Sequence, residues 1–165
     1  MSVEAKQAKQ VIIDEIKEKL DGAQSAVVID YMGTTVAQAD AMRKKLREAN
    51  VDYTVYKNTL IKRAIEGTAF APLAEVLDGP SAIAISKEDA TAPARILKEV
   101  IDEFKKMEFK AGVVEGNFFD QDGIKEIASI PSRDVLIAKF MGSIQSPVSK
   151  AVRTFQAIAD AKAEA

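Results

Sequence analysis

Apolar residues are spaced along this chain in two rhythms, and the alternation between them predicts the architecture. From Val3 to Leu20, Ile12, Ile16 and Leu20 recur every fourth residue, joined by Ala5, Ala8 and Ile13, which predicts an amphipathic helix. Ser2 is placed to cap it and Asp21-Gly22 to stop it. Ala26-Val27-Val28-Ile29 then forms a continuous apolar run within Ser25 to Asp30, the pattern of a strand covered on both faces. After a turn at Tyr31-Met32-Gly33-Thr34, Thr35 and Gln38 have the spacing of a capping box. Val36, Ala39, Met42, Leu46 and Ala49 mark the apolar stripe of the helix that follows, with Asn50 as its left-handed terminator.

Val51 to Tyr56 alternates instead, with Val51, Tyr53 and Val55 on one face, and predicts a half-buried strand. Asn58 is placed to cap a short helix running to Glu66 and stopped by Gly67, and a second short helix is predicted from Phe70 to Leu77, ahead of Asp78-Gly79-Pro80. Ser81 to Ser86 is again strand-like, and Thr91 opens a helix with Ile96, Leu97, Val100, Ile101 and Phe104 on one side. Phe109 to Glu115 reads as a strand that Gly116-Asn117 turns back into Phe118-Phe119, and Asp122 to Ser129 as a short helix before Pro131. Helix and strand alternate, so the expected class is an α/β (α+β) sandwich over residues 1–131, followed by a C-terminal helical extension over residues 132–165.

Within the extension, Ser132 is placed to cap a helix that Gly142 ends, and Ser146-Pro147 to start a final one. Ile144, Val148, Val152, Phe155, Ile158 and Ala159 describe one apolar stripe, opposite Ser149, Lys150, Arg153, Asp160 and Lys162. Such a stripe packs either on the domain's own core or against a partner helix, and the pattern leaves both open.

Composition narrows the chemistry. The 165 residues suffice for one domain with an appendage, and 47% apolar content argues against wholesale disorder. No uninterrupted run of ~18 apolar residues predicts a membrane span, and the N-terminal segment lacks the apolar core of a secretory signal. Cysteine and histidine are both missing, which removes disulfides, thiolate zinc sites and any His- or Cys-based catalysis. The lack of cysteine fits a cytoplasmic protein, and no metal or other cofactor is expected. There is no phosphate-binding P-loop, no G-x-G-x-x-G and no G-x-S-x-G, and the acidic pairs Asp14-Glu15, Glu88-Asp89 and Asp120 with Asp122 form no catalytic pattern. An enzyme would have to work through a Tyr–Lys or carboxylate site, so a non-enzymatic protein is expected.

Charge gives the one strong local signal. The formal net charge is −2, yet Ala41 to Glu66 holds seven basic residues against three acidic, a net of +4 that leaves −6 on the rest. Lys57, Asn58, Lys62 and Arg63 cluster around a predicted helix N-terminus, whose free N–H groups and dipole favour anions. Arg43, Lys44 and Arg47 add a basic ridge from the preceding helix, and Tyr31, Tyr53 and Tyr56 are available for stacking on bases. On charge alone an ordinary solvated helix face fits equally well.

Several segments, in order, resemble one family. They are Ala26-Val27-Val28-Ile29-Asp30-Tyr31 with Gly33, Met42-Arg43-Lys44-Lys45-Leu46-Arg47, and Val55-Tyr56-Lys57-Asn58-Thr59-Leu60 with Ala64. Gly79-Pro80-Ser81, Ile130-Pro131-Ser132-Arg133 and the Ser146-Pro147 helix with its Ala/Lys tail complete the series. The whole chain is similar to bacterial large ribosomal subunit protein ten, the family at the base of the ribosomal stalk, and Lys57-Asn58-Thr59-Leu60 is the most specific piece. The resemblance implies a ferredoxin-like sandwich with extra helices that binds the factor-associated region of large-subunit rRNA beside another rRNA-binding ribosomal protein. It implies that Lys57, Asn58, Thr59, Lys62 and Arg63 contact RNA, with Gly33 and Thr34 in the first strand-to-helix loop near it. Residues that often follow that glycine in the family are aliphatic, whereas Thr34 stands here. Val148, Val152, Phe155, Ile158 and Ala159 become the docking stripe for dimers of the acidic stalk protein, which recruit translational GTPases. About five helical turns follow Pro147, suiting two dimers, and the large insertion of archaeal and eukaryotic relatives is missing, which favours a bacterial origin. The implied location is the ribosome in the cytoplasm. Two further readings stay open: a ribosome-assembly factor of the same fold, and a protein-interaction module that binds no RNA.

Overall fold

The computed structural model describes the backbone from residue 3 to residue 163; the side chains of residues 3–6, 8, 147, 148, 151, 152, 155 and 157–163 lie outside the description, as does the predicted cap Ser2. The chain divides into two compact units, with the boundary after Ile130. The first contains α1 (Val3–Leu20), β1 (Ser25–Asp30), α2 (Val36–Glu48), β2 (Val51–Thr54), α3 (Asn58–Ile65), a 3₁₀ turn (Ala71–Glu75), β3 (Ala82–Ser86), α4 (Ala92–Phe104), β4 (Glu108–Val114), β5 (Asn117–Asp120) and α5 (Gln121–Ile127). The second is the single helix α6 (Arg133–Ala163).

The five strands pair in the order β2-β3-β1-β4-β5, antiparallel throughout. β1-α2-β2 and β3-α4-β4 interleave with β1 and β3 in the centre, which is the ferredoxin-like arrangement, extended here by β5. The apolar run in β1 is buried on both sides because each sheet face carries helices. Val27 and Ile29 join Met42 and Leu46 of α2, Leu97 and Val100 of α4, and Ile124 of α5. Ala26 and Val28 join Ile13, Ile16 and Leu20 of α1, with Leu60, Ile61 and Ile65 of α3. Full burial of each such Leu or Ile contributes about 1.5–3 kcal/mol of transfer free energy.

Local signals are met where backbone chemistry alone decides. Thr35 and Gln38 form the reciprocal capping box, with the Thr35 N–H donating to Gln38 Oε1 at 3.0 Å and the Gln38 N–H to Thr35 Oγ1 at 3.4 Å. Asn50 is left-handed at φ 54°, ending α2. Glu115 and Gly116 both have positive φ, 51° and 79°, as a two-residue hairpin turn between β4 and β5 requires.

Other elements differ from the sequence expectation. β2 stops at Thr54, and Val55 is exposed rather than inside. Within the Phe70 to Leu77 segment only Ala71–Glu75 is helical, as a 3₁₀ turn with Pro72 near its start. The extension is one helix, not two: α6 runs through Gly142 and Pro147 without interruption. Glycine in a helix costs only about 1 kcal/mol and proline about 3 kcal/mol, which good helix formers on either side outweigh.

Candidate nucleic-acid interface

Antiparallel pairing gathers four chain segments at one end of the sheet. β1 and β2 finish there and β3 and β4 begin there, as the pairs Ile29↔Ala82, Ile29↔Phe109 and Thr54↔Ile83 define. Tyr31 follows β1, Val55 to Thr59 follow β2, and Gly79-Pro80-Ser81 precede β3. Together these residues line one open depression of about 350 Å³. Two motifs more than twenty residues apart in sequence are thereby joined: the Asn58 amide donates to the Gly79 carbonyl at 2.7 Å.

Lys57 is the N-cap residue of α3, in extended conformation, and no side chain caps the helix. Asn58 was expected to cap; it occupies the first helical position, and its amide is committed to Gly79 instead. As at any helix start, the first two N–H groups of α3 have no carbonyl of a preceding turn to meet, and their residues, Asn58 and Thr59, line the depression. Lys57, Thr59 and Arg63 are exposed, while Lys62 is half-buried and paired with Asp78 at 3.3 Å. Among the described residues Lys57 and Arg63 enter no ion pair, so their charge is available to an anion.

Two tyrosines line the depression. The Tyr56 hydroxyl donates to Glu15 Oε1 at 2.8 Å, which holds the Glu15 carboxyl below the usual carboxylate range. Partial burial pushes the Tyr56 hydroxyl up, so it stays a neutral donor at physiological pH. Lys19 lies 5.8 Å from the Tyr56 ring centroid and 3.4 Å from Glu15, tying α1 to the rim. Tyr31 is half-buried, and its carbonyl accepts from Thr34 Oγ1 at 2.6 Å. That bond orders the β1–α2 loop. Gly33, in the same loop, is left-handed at φ 80°, and a Cβ there would lie 3.9 Å from the Lys106 side chain.

The second basic ridge does not join this group. Met42 and Leu46 of α2 belong to one core and Leu60 and Ile61 of α3 to the other, so the two helices cover opposite faces of the sheet. Arg43 pairs with Asp40 at 3.3 Å and, with Arg47, borders Tyr53 in a separate depression; Lys44 is exposed on the same helix. Burial pushes the Tyr53 hydroxyl up to about 12, against the opposing pull of Arg43. Tyr53 therefore belongs to the α2 side, where Tyr31 also packs, whereas Tyr56 packs against the α1/α3 core.

Sequence reasoning missed Lys110 and did not place Asp78 and Pro80. Lys110 Nζ donates to the carbonyls of Asp78 and Pro80 and to Ser81 Oγ. Its one signal was a lysine within an otherwise apolar stretch, Phe109 to Val114. On α6, Ile144 is exposed, and the side chains of Val148, Val152, Phe155, Ile158 and Ala159 lie outside the described residues. Among the described residues no group of acidic side chains is placed to hold a metal, and no helix is long and apolar enough to cross a membrane.

A ferredoxin-like sandwich carrying a basic, tyrosine-lined end and a separate long helix defines the class of protein. A family model described as Ribosomal protein L10 matches residues 4–102, and one described as Ribosomal protein uL10 C-terminal region matches residues 130–165. A Large ribosomal subunit protein uL10 from Clostridioides difficile (strain 630) is 49% identical over 92% of this chain and 90% of its own length. Proteins of the same name from Alkaliphilus metalliredigens (strain QYMF) and Bacillus cereus (strain B4264) are 44% and 42% identical; they cover 94% and 96% of this chain and 94% and 95% of their own lengths. The chain belongs to the ribosomal protein L10 family of the large ribosomal subunit. It is therefore a structural ribosomal protein of the cytoplasm, and not an enzyme.

Proposed function

We propose that the α/β unit, residues 1–131, anchors the protein to large-subunit rRNA and that the extension, residues 132–165, carries dimers of the acidic stalk protein. The observation that supports the RNA reading is the convergence of Lys57-Asn58-Thr59 with Gly79-Pro80-Ser81 around Tyr31 and Tyr56. Phosphates suit the α3 N-terminus, Lys57 and Arg63, and an unstacked base suits a tyrosine face. Lys62 contributes less while it is paired with Asp78. Gly33 and Thr34 border the same end and extend the contact, beside a neighbouring rRNA-binding protein. Arg43, Lys44 and Arg47 serve as a separate polyanion contact on the other face.

The stalk reading is supported by apolar side chains left exposed along the first half of α6. Val135, Leu136, Ile137, Phe140, Met141 and Ile144 are each more than two-fifths exposed. The docking stripe continues through Val148, Val152, Phe155, Ile158 and Ala159, with room for two dimers. Several dimers on one helix raise the local concentration of their GTPase-recruiting domains through effective molarity, without any new contact.

Native mass spectrometry with the acidic stalk protein tests the tether by comparing the full chain with a version ending at Gly142. Capture of whole dimers by the full chain alone is the expected result. Binding by neither would favour an assembly factor of the same fold. For the RNA, the combined change of Lys57, Lys62 and Arg63 to Ala should lower the log K against log[salt] slope by about 2 to 3 on a transcript of the factor-associated region. Unchanged binding would favour a protein-interaction module.

A further inference from the structure

We propose that Lys110 is the positioning residue of the interface, holding the Asp78–Ser81 loop in the shape that RNA meets; this rests on the RNA-binding reading above. The pairing of β1 with β4 slips between Val28 and Ile29, so that Val28 faces Ala111 and Ile29 faces Phe109. Lys110 is the extra residue of this bulge. Bulges re-aim a side chain, and this one turns Lys110 out of the alternation that buries its neighbours and toward the loop before β3.

The Lys110 side chain is only 17% exposed. Its ammonium donates to the Asp78 carbonyl, to the Pro80 carbonyl at 2.8 Å and to Ser81 Oγ at 3.1 Å, with Asp30 at 3.7 Å. An ammonium has three hydrogens, so these three acceptors use its full donor capacity and leave none for a phosphate. Asn58 takes the intervening Gly79 carbonyl at 2.7 Å. Three successive carbonyls, those of residues 78, 79 and 80, are thus held by donors of the protein itself. Each carries partial negative charge that would repel a phosphate if it swung outward. The same contacts keep Asn58 at the start of α3, next to the groups proposed to bind RNA. Lys110 therefore acts through the loop and through Asn58, without touching RNA.

The experiment is a salt titration of full-length protein with a transcript of the factor-associated region of large-subunit rRNA, run well below the melting temperature. Lys110→Met should weaken binding on the order of tenfold, the loss typical of charge-assisted hydrogen bonds. It should leave the log K–log[salt] slope unchanged, because no phosphate contact is removed, while Lys57→Ala lowers that slope by about 0.7 to 0.9. Amide exchange at Gly79 and Ser81 should quicken in Lys110→Met, and Lys110→Arg, which keeps charge and donors, should recover most of the affinity. If Lys110→Met fails to fold, Lys110→Gln replaces it in the same titration. Affinity equal to the parent overturns the proposal, and so does a slope that falls as it does for Lys57→Ala, since that marks a direct phosphate contact. If Lys57→Ala and Arg63→Ala also change nothing, the RNA-binding reading itself has failed; if they weaken binding and the Lys110 variants do not, only the positioning role has failed.

Discussion

The body to Ile130 and the helix after it use apolar side chains in opposite ways. In the body, β3 is buried at every position from Ala82 to Ser86, and Ile16, Leu46, Ile61 and Leu97 are wholly enclosed. Along α6, six large apolar residues between Val135 and Ile144 are 43% to 65% exposed. Helical spacing of apolar residues is common to both regions. What differs is the sheet: two covered faces give α1, α2, α3 and α4 somewhere to bury their stripes. The lesson is that an amphipathic stripe states a need for a partner and does not say whether that partner lies in the same chain.

The largest test of this contrast is truncation in each region. Leu97→Ala should destabilise by about 2–5 kcal/mol in urea unfolding, because it leaves a cavity in a packed core. Phe140→Ala, at 65% exposure, should stay within about 0.5 kcal/mol. Equal losses would break the contrast and show that α6 is itself packed.

A finer test uses one substitution at two sites. Gly112 faces a filled space: an added Cβ would lie 2.6 Å from Ile124 Cδ1 and 3.2 Å from the Ala26 carbonyl oxygen. Gly112→Ala should therefore cost about 1–3 kcal/mol by overpacking. A Cβ at Gly142 meets nothing within 4 Å. Gly142→Ala should raise the helicity of α6, worth up to about 1 kcal/mol, and leave the body's unfolding midpoint unmoved. Circular dichroism and urea unfolding of both variants give the two signs.

The smallest effect is alkaline. All three tyrosines lie in the body, and Tyr53, pushed up to about 12, is the one most shielded from ionising. A hydroxyl whose folded pKa lies above its unfolded value of about 10 stabilises the fold fully below that value. The contribution fades as pH climbs from about 10 towards about 12. Tyr53→Phe should lose less stability across that window than the parent, with the α6 helix signal unaffected; identical losses would place the alkaline sensitivity elsewhere.

Much of the fold was legible because short-range chemistry decides it. Ala26 to Ile29 announced a strand covered on both faces, and Thr35 with Gln38 announced a helix start. Ferredoxin-like topology and the candidates Thr59, Gly33 and Thr34 came through resemblance, since periodicity shows elements but not which strands pair. The candidate site was half legible. Lys57 and Arg63 were found by charge, whereas Arg43, Lys44 and Arg47 seemed to belong with them and face the other side of the sheet.

The sequence by itself determined where most helices and strands of the body lie, which faces are apolar, and which side-chain chemistries are absent, because these depend on residue identity and on neighbours within a turn or two. Only the tertiary structure decided that Asn58 holds Gly79 rather than capping its own helix, and that one bulge aims Lys110 at the loop before β3. It also decided that Gly142 and Pro147 are spanned by a single helix. The first two depend on strand register and on competition between distant partners for one donor. The third depends on a sum of propensities along 31 residues, which no single breaker residue reveals.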